Sequence, residues 1–313
     1  MSPRKRKVAT NAKGNSGKED SAATIPPSSS SSSALYNAIV AGIQQRANPQ
    51  TKAGFTNYVK GTTWMGCKMP VVREAVQEVT RRKRKSKSKG KQKKKAASLS
   101  HNNHFPPGML LDAAVSLLQH EACDVKLAGM LVLSEQMELE DLATASTLQR
   151  LERDVLLQNK LDDWSSADWF AMKVLQKIVF ADVDDDDDSS IAMRVLNFTN
   201  VADTADRNYL YVRRCGVVPF LDYYKHRDKL PPRFGTKLVD ACEKSLLTSP
   251  DERFTQTGIA WVLRYVLLQP EEKDYAYKMI VQHGALWTKE AKKSLTEKLP
   301  KNDPRRKKIL ELE

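Results

Sequence analysis

The chain has 313 residues, of which 41% are hydrophobic, so it is long enough to bury a full core without disulfide or metal support. Its four cysteines lie far apart and form no Cys-x-x-Cys pair, and His120 is the histidine close to one of them, so we expect neither a metal site nor a cofactor. No run of about 18 apolar residues occurs, and the basic N-terminus lacks the apolar stretch of a secretory signal. The sequence therefore predicts no membrane association and no export.

The net charge of +13 is unevenly distributed along the chain. Residues 1–104 contain 22 basic and 4 acidic side chains, a net charge of +18, whereas residues 105–313 contain 29 basic and 34 acidic ones, a net charge of −5. Most long-range attraction to phosphate would therefore come from the basic segments near the N-terminus. A nucleic-acid-binding surface on the rest of the chain must be a local basic stripe.

The N-terminal third alternates between basic polar segments and helical periodicity. Residues 1–33 combine the cluster PRKRK with a serine run and predict a disordered tail, because this composition cannot bury enough apolar surface to offset the entropy of ordering. From Ala34 onward apolar residues recur at helical spacing, and we expect a single domain over residues 34–313. The Lys-rich segment 81–104 predicts a disordered insertion between two helices, because like charges at this density repel each other.

Beyond Gly108 the chain is a series of amphipathic segments of roughly 12 to 20 residues. We expect helices over residues 109–120, 123–136, 139–157, 163–180, 190–201, 206–225, 233–247, 253–268, 271–283 and 287–298. Helix pairs that recur at about 40 residues, without runs of alternating β-branched residues, predict an all-α fold, a HEAT-like helical repeat solenoid. The acidic segment 182–189 predicts a solvated loop, because its consecutive aspartates lack the alternating ligands and the glycine of a calcium loop.

Asp168 is an acidic residue in an otherwise apolar helix stripe. On the helix predicted for residues 163–180 it shares a narrow arc with Trp164 and with apolar residues of the following turns. Desolvating a carboxylate there costs several kcal/mol unless the group is paired or lines a cavity. A structural role, as a cap of a neighbouring helix or the partner of a buried arginine, and a catalytic role both fit. Asp162 and Asp163 are better suited to cap the helix N-terminus.

Two adjacent arginines, Arg213 and Arg214, lie in an otherwise apolar helix that Pro219 is expected to kink or split. Adjacent helical positions point about 100° apart, so at most one arginine can face the same groove as Asp168. A guanidinium group suits a phosphodiester, which indicates a phosphate clamp. A buried ion pair, including one with Asp168 itself, fits the pattern equally well.

An aromatic stripe runs along the helix predicted for residues 253–268, formed by Phe254, Trp261 and Tyr265 together with Gly258. Aromatic side chains at that spacing usually belong to the core, and a ligand-contacting role is the alternative. Glycine within a helix indicates that another group approaches the backbone closely.

Four of these segments together resemble the AlkD-type DNA alkylation repair family. Residues 58–76, YVKGTTWMGCKMPVVREAV, resemble its opening signature, in which a helix ends in a Lys-Gly turn followed by an aromatic residue, a glycine and a Pro-x-x-Arg helix start. The runs WSSAD at 164–168, YVRRCGVV at 211–218 and FTQTGIAWVLR at 254–264 follow in the family's order. The resemblance covers about residues 34–300 and implies a HEAT-like solenoid whose concave face binds DNA.

The resemblance also implies roles for individual residues. Asp168 would be the catalytic acid, Trp164 and Trp261 would flank the deoxyribose of the damaged nucleotide, and Arg214, with Arg213 as the alternative, would hold the adjacent phosphate. Further DNA contacts are expected at Lys60, Lys68 and Arg264. The basic tail, the Lys-rich insertion and the aspartate run depart from the family's pattern and leave these motifs intact.

The activity that the resemblance implies is that of a DNA glycosylase, a hydrolase that releases positively charged alkylated purines of the 3-methyladenine and 7-methylguanine type and so initiates base excision repair. Its ligand would be double-stranded DNA with alkylated bases, bound by a monomer without a cofactor. The alternative is a non-catalytic helical-repeat scaffold that binds DNA structures or proteins.

The basic clusters favour nuclear import through an importin. A serine-rich, basic N-terminus that is poor in acidic residues is also typical of a transit peptide, so a mitochondrial or plastid location is the alternative.

Overall fold

The computed structural model describes residues 29–80, 105–181, 190–205 and 207–312. Within these ranges the chain is all-α, and β structure is limited to isolated bridges of Thr63 with Ala122 and of Thr204 with Arg207. The predicted fold class, an all-α helical repeat solenoid, is confirmed. The insertion predicted at 81–104, the acidic loop at 182–189 and residues 1–28 of the predicted tail lie outside the described residues.

The helices, in chain order, are α1 (Ser29–Gln45), α2 (Pro49–Tyr58), α3 (Met69–Thr80), α4 (Pro107–Leu118), α5 (Cys123–Leu131), α6 (Leu139–Leu142), α7 (Ala145–Leu151), α8 (Trp164–Phe170), α9 (Gln176–Val179), α10 (Ile191–Leu196), α11 (Leu210–Val217), α12 (Phe234–Thr248), α13 (Arg253–Val266), α14 (Lys273–Gln282), α15 (Lys289–Leu295) and α16 (Pro304–Leu310). Wider π-helical turns follow α5 (Val132–Gln136), α7 (Glu152–Leu156) and α8 (Ala171–Leu175). Tighter 3₁₀ segments are Asn197–Asn200, Val218–Lys225, Arg227–Lys229 and Gly284–Leu286.

The helices stack in successive layers around one apolar core. Helices α3, α5, α8, α11, α13 and α15 form a row in which each packs against the next. Behind this row α1 packs on α4, α12 packs on both α13 and α14, and α16 packs on α14 and α15. Most of the buried apolar residues form one large cluster that runs from Leu35 in α1 to Ile309 in α16. The row therefore brings segments distant in sequence side by side.

Several helix boundaries differ from those expected from periodicity. Helix α1 begins at Ser29, upstream of the start expected at Ala34. The segment 139–157 is divided at Ala143, where the backbone leaves the helical region and Thr144 caps α7 by accepting the Thr147 N–H. Pro219 is the second residue of the 3₁₀ segment that follows α11, so the helix is split beside it, as predicted for a residue that lacks an N–H.

All four cysteines are buried free thiols. No helix in the described ranges combines the length and apolar character needed to cross a bilayer. Nor do these ranges bring three or more His, Cys, Asp or Glu side chains together in an arrangement that could hold a metal ion.

The loop between α2 and α3 is held by a buried carboxylate. Asp124 in α5 is fully buried and accepts hydrogen bonds from the backbone N–H groups of Met65, Gly66 and Cys67 at 2.8–3.1 Å. Gly66 has a φ of 109°, and a Cβ there would lie 2.3 Å from the Asn48 carbonyl oxygen, so the turn requires glycine.

The same loop supports the start of α8. Trp64 and Val59 form a small buried cluster with Cys123, and Trp164, the first residue of α8, packs against it. Asp124 therefore fixes the surface on which one of the predicted site residues rests.

Replacing Asp124 with alanine removes the acceptor of three backbone N–H groups, of which those of Gly66 and Cys67 are buried and that of Met65 is partly buried. We expect Asp124→Ala to lower the free energy of unfolding by about 3 kcal/mol, because unsatisfied buried donors lose their water without gaining a partner. Urea denaturation followed by circular dichroism measures the change. As a control, Asp228→Ala removes an exposed carboxylate and should stay within about 0.5 kcal/mol of the wild type. Equal losses in the two variants would contradict the role assigned to Asp124.

Candidate active site

The N-terminus of α8 is fixed by Asp163. Its carboxylate caps the helix by accepting hydrogen bonds from the N–H groups of Ser165 and Ser166 at 2.8 and 2.9 Å. The capping role predicted for Asp163 is confirmed, whereas Asp162 instead pairs with Lys126 at 2.6 Å. A rigid first turn sets the direction of the side chains that follow, Asp168 among them.

A cavity of about 360 Å³ opens along the row of helices α8, α11, α13 and α15. It is lined by Tyr58, Trp164, Asp168, Arg214, Arg253, Phe254, Thr257, Trp261 and Glu290. The structure thus brings together four of the predicted site residues, Asp168, Trp164, Trp261 and Arg214, from three separate segments of the chain.

Asp168 and Arg214 form a two-pronged ion pair on the cavity wall. Arg214 Nε donates to Asp168 Oδ1 at 2.6 Å, and Nη2 donates to Oδ2 at 2.9 Å. The side chains are only 6% and 2% exposed. Removing one member of such a buried pair costs about 3–5 kcal/mol, because the other charge is left uncompensated. The buried pair and the cavity position, two interpretations that the sequence left open, therefore occur together.

Helix α13 holds the other side of Arg214. Nη1 of Arg214 donates to the Phe254 carbonyl oxygen and lies 3.4 Å from the Thr257 hydroxyl. The guanidinium carbon lies 5.3 Å from the centre of the Trp261 ring, a cation–π distance. A Cβ at Gly258 would lie 2.8 Å from Nη1, so the close approach predicted for this glycine is that of Arg214.

Aromatic rings form the rest of the wall. Trp164 meets Tyr58 edge to face at 5.5 Å between ring centres and lies nearly parallel to Phe254, with 10° between the ring planes. Trp164 and Trp261 are both partly exposed, so their rings contact the cavity space as well as the core. Indole faces carry negative potential and attract cations, which makes the wall suited to a positively charged group.

The thiol nearest the pair is not available as a nucleophile. Burial raises the pKa of Cys215, and the Asp168 carboxylate raises it further, so the thiol stays neutral. Of the groups in the buried ion pair, the Asp168 carboxylate is the one that can act as a base or stabilise a cation. Its oxygens keep lone pairs that Arg214 does not use and that can orient a water molecule or face a developing cation.

Four predicted DNA-binding residues lie outside the cavity lining, and two of them are engaged in other ion pairs. Arg213 is 1% exposed and donates to Asp203 at 2.7 Å and to Ser249 at 3.1 Å, so it is a structural ion pair and not part of the cavity. Arg264 pairs with Glu297, lies over the Tyr265 ring and does not line the cavity. Lys60 and Lys68 are exposed and also lie outside the cavity lining.

Four residues of the cavity lining were not predicted from the sequence, namely Tyr58, Arg253, Thr257 and Glu290. Arg253 and Glu290 carry no distinguishing signal, because exposed charges are ordinary on amphipathic helices. Tyr58 stands at the start of the opening signature, and that position was the signal that could have identified it.

Comparison with models of known protein families identifies the family of this chain. Residues 39–271 match the family model described as DNA alkylation repair enzyme, which covers more than half of the chain. A search of curated proteins gave no match.

Adding a methyl group at position 258 should disturb the ion pair. We expect Gly258→Ala to lower the free energy of unfolding by about 1–3 kcal/mol, since the buried guanidinium cannot move away without straining its bonds to Asp168. Gly54→Ala is the matched control, because Gly54 lies within α2 and a Cβ there would meet nothing within 4 Å. That variant should gain about 0.5–1 kcal/mol. Chemical denaturation of both variants tests the contrast, and a gain in both would show that Arg214 does not restrict position 258.

Proposed function

Because the chain belongs to the family of DNA alkylation repair enzymes, we propose that it is a DNA glycosylase that releases positively charged alkylated purines, such as 3-methyladenine and 7-methylguanine. The reaction is hydrolysis of the N-glycosidic bond, which initiates base excision repair. The observation that carries the proposal is the Asp168 carboxylate, which is oriented by Arg214 on the wall of a cavity that also contains Trp164 and Trp261.

The proposed reaction needs few groups besides this carboxylate and the two indole rings. An alkylated purine already carries a positive charge, so the bond between C1′ and the base nitrogen breaks with a neutral base as the leaving group, and the sugar acquires oxocarbenium character. A water oxygen then bonds to C1′, and Asp168 accepts the proton that this water loses. A carboxylate about 4 Å from the developing cation is worth at most about 4 kcal/mol at an effective dielectric near 20, or about a thousandfold in rate.

Arg214 both limits and supports this effect. Its positive charge offsets part of the attraction between Asp168 and the sugar, so the figure above is an upper bound. Its two hydrogen bonds fix the carboxylate before substrate binds, which avoids reorganisation during the reaction. An electrostatic gain of this size suits a labile cationic nucleoside and is too small for an undamaged one. Undamaged bases are therefore not released, because they are uncharged and leave the sugar less readily.

A second candidate is favoured by the ion pair itself. In a helical-repeat scaffold that binds DNA structures or proteins without catalysis, Asp168 would serve only to neutralise Arg214. For the glycosylase the ligand would be double-stranded DNA with alkylated bases, bound by a monomer, whereas the scaffold would bind DNA structures or proteins. The basic segments would direct the protein to the nucleus through an importin, or a transit peptide would direct it to a mitochondrion or plastid.

Replacing Asp168 separates the two candidates. We expect Asp168→Asn to reduce release of 7-methylguanine from methylated duplex DNA by up to about a thousandfold, while DNA binding remains. The variant should also lose stability, because Arg214 is left unpaired. Asp203→Asn is the matched control: it leaves the buried Arg213 without its carboxylate partner at a place outside the cavity, so it should lose stability and keep its excision rate.

Excision is measured below the melting temperature of both variants. Asp168→Glu preserves the charge and moves the carboxylate by one methylene, so it should fold and lose about a hundredfold in rate. Excision that is unchanged in Asp168→Asn, or an equal loss in Asp203→Asn, would contradict the role assigned to Asp168, whereas no excision by the wild type would favour the scaffold.

A further inference from the structure

Building on the proposed DNA ligand, we propose that Arg253 binds the backbone phosphate beside the damaged nucleotide, and that Glu290 holds Arg253 at the cavity rim until the phosphate displaces it. The motivating observation is a second arginine–carboxylate pair on the same cavity as Asp168 and Arg214. This pair is more exposed than the buried one, so its arginine can exchange the carboxylate for a phosphate.

Arg214 is poorly placed to take a phosphate. Its Nε and Nη2 are bonded to Asp168, and its Nη1 is bonded to the Phe254 carbonyl oxygen. A phosphate could bind its guanidinium face only by displacing the carboxylate, which would leave Asp168 buried without a partner. Among the described residues, the other basic side chain that lines the cavity is Arg253.

Arg253 has the exposure and the orientation that a phosphate contact needs. Its side chain is 64% exposed, and its guanidinium carbon lies 5.6 Å from the centre of the Phe254 ring. Nε and Nη2 donate to the two oxygens of Glu290 at 2.7 and 3.1 Å, which presents the planar fork in the geometry that a phosphate also accepts.

Glu290 is a partner that can be replaced. Its side chain is 52% exposed, and exposed ion pairs contribute little to stability because water screens them. The Arg253 guanidinium lowers the pKa of Glu290, so the carboxylate is ionised at neutral pH. A phosphate must therefore compete with this negative charge for the guanidinium of Arg253. Glu252 occupies the Phe254 N–H at the N-terminus of α13, so the guanidinium and not the helix end would receive the phosphate.

The exchange predicts opposite effects for the two members of the pair. Binding is measured by fluorescence anisotropy with a duplex that contains a tetrahydrofuran abasic analogue, over a series of salt concentrations. Arg253→Gln should bind several-fold more weakly, and the slope of log K against log salt should fall by about 0.9, the contribution of one phosphate contact. Glu290→Gln should bind several-fold more tightly, because a carboxylate that competes with the phosphate is gone.

A matched control separates this exchange from a simple tether between α13 and α15. Arg194→Gln breaks another interhelical arginine–glutamate pair, Arg194 with Glu152, which lies outside the cavity lining, and should leave affinity and slope unchanged. A tether would make Arg253→Gln and Glu290→Gln weaken binding alike, and that result overturns the proposal. An unchanged slope in Arg253→Gln overturns it as well.

Single methylphosphonate substitutions locate the contact. Wild-type protein should lose affinity when one particular phosphate beside the abasic analogue is neutralised, and Arg253→Gln should be insensitive at that same phosphate. The readout is binding, so it is separate from the glycosylase proposal. Normal excision with no effect of Arg253→Gln on slope rejects the phosphate contact alone, whereas the expected binding pattern without excision by the wild type rejects the glycosylase alone.

Discussion

The buried pair of Asp168 and Arg214 ties together three helices that are distant in sequence. Arg214 lies in α11, its carboxylate partner lies in α8, and its remaining nitrogen binds the backbone of α13. Each of these contacts satisfies a polar group that would otherwise be costly to bury. The helices of the row therefore cannot separate at this point without leaving a charge unpaired. This constraint keeps the wall of the cavity rigid.

The same pair sets the chemistry of the cavity. At 6% side-chain exposure the Asp168 carboxylate has little access to water, so its charge needs a partner inside the protein. Arg214 supplies that charge and gives the carboxylate one orientation. Trp261 stacks on the guanidinium and Trp164 stands on the loop that Asp124 holds, so both indole rings are positioned by buried charges as much as by apolar packing.

Periodicity predicted most of the helices because amphipathic spacing reports directly on burial. It could not predict the break at Ala143, which has no proline or glycine signal, or the short helix α16. Asp168 was predictable as unusual, since an acid in an apolar stripe requires a partner or a cavity. Which arginine was its partner depended on the rotation of α11 in the assembled row, and the sequence alone does not specify that rotation.

The difference in burial between the two ion pairs of the cavity determines which of them can exchange its partner. Asp168 with Arg214 is nearly inaccessible to solvent, so exchanging either partner would carry the full cost of an isolated buried charge. Arg253 with Glu290 is more than half exposed, so water stabilises both groups when they part. The cavity lining carries two positive and two negative side chains in all. A phosphate that replaces Glu290 at Arg253 would leave Asp168 as the remaining negative group oriented towards the sugar.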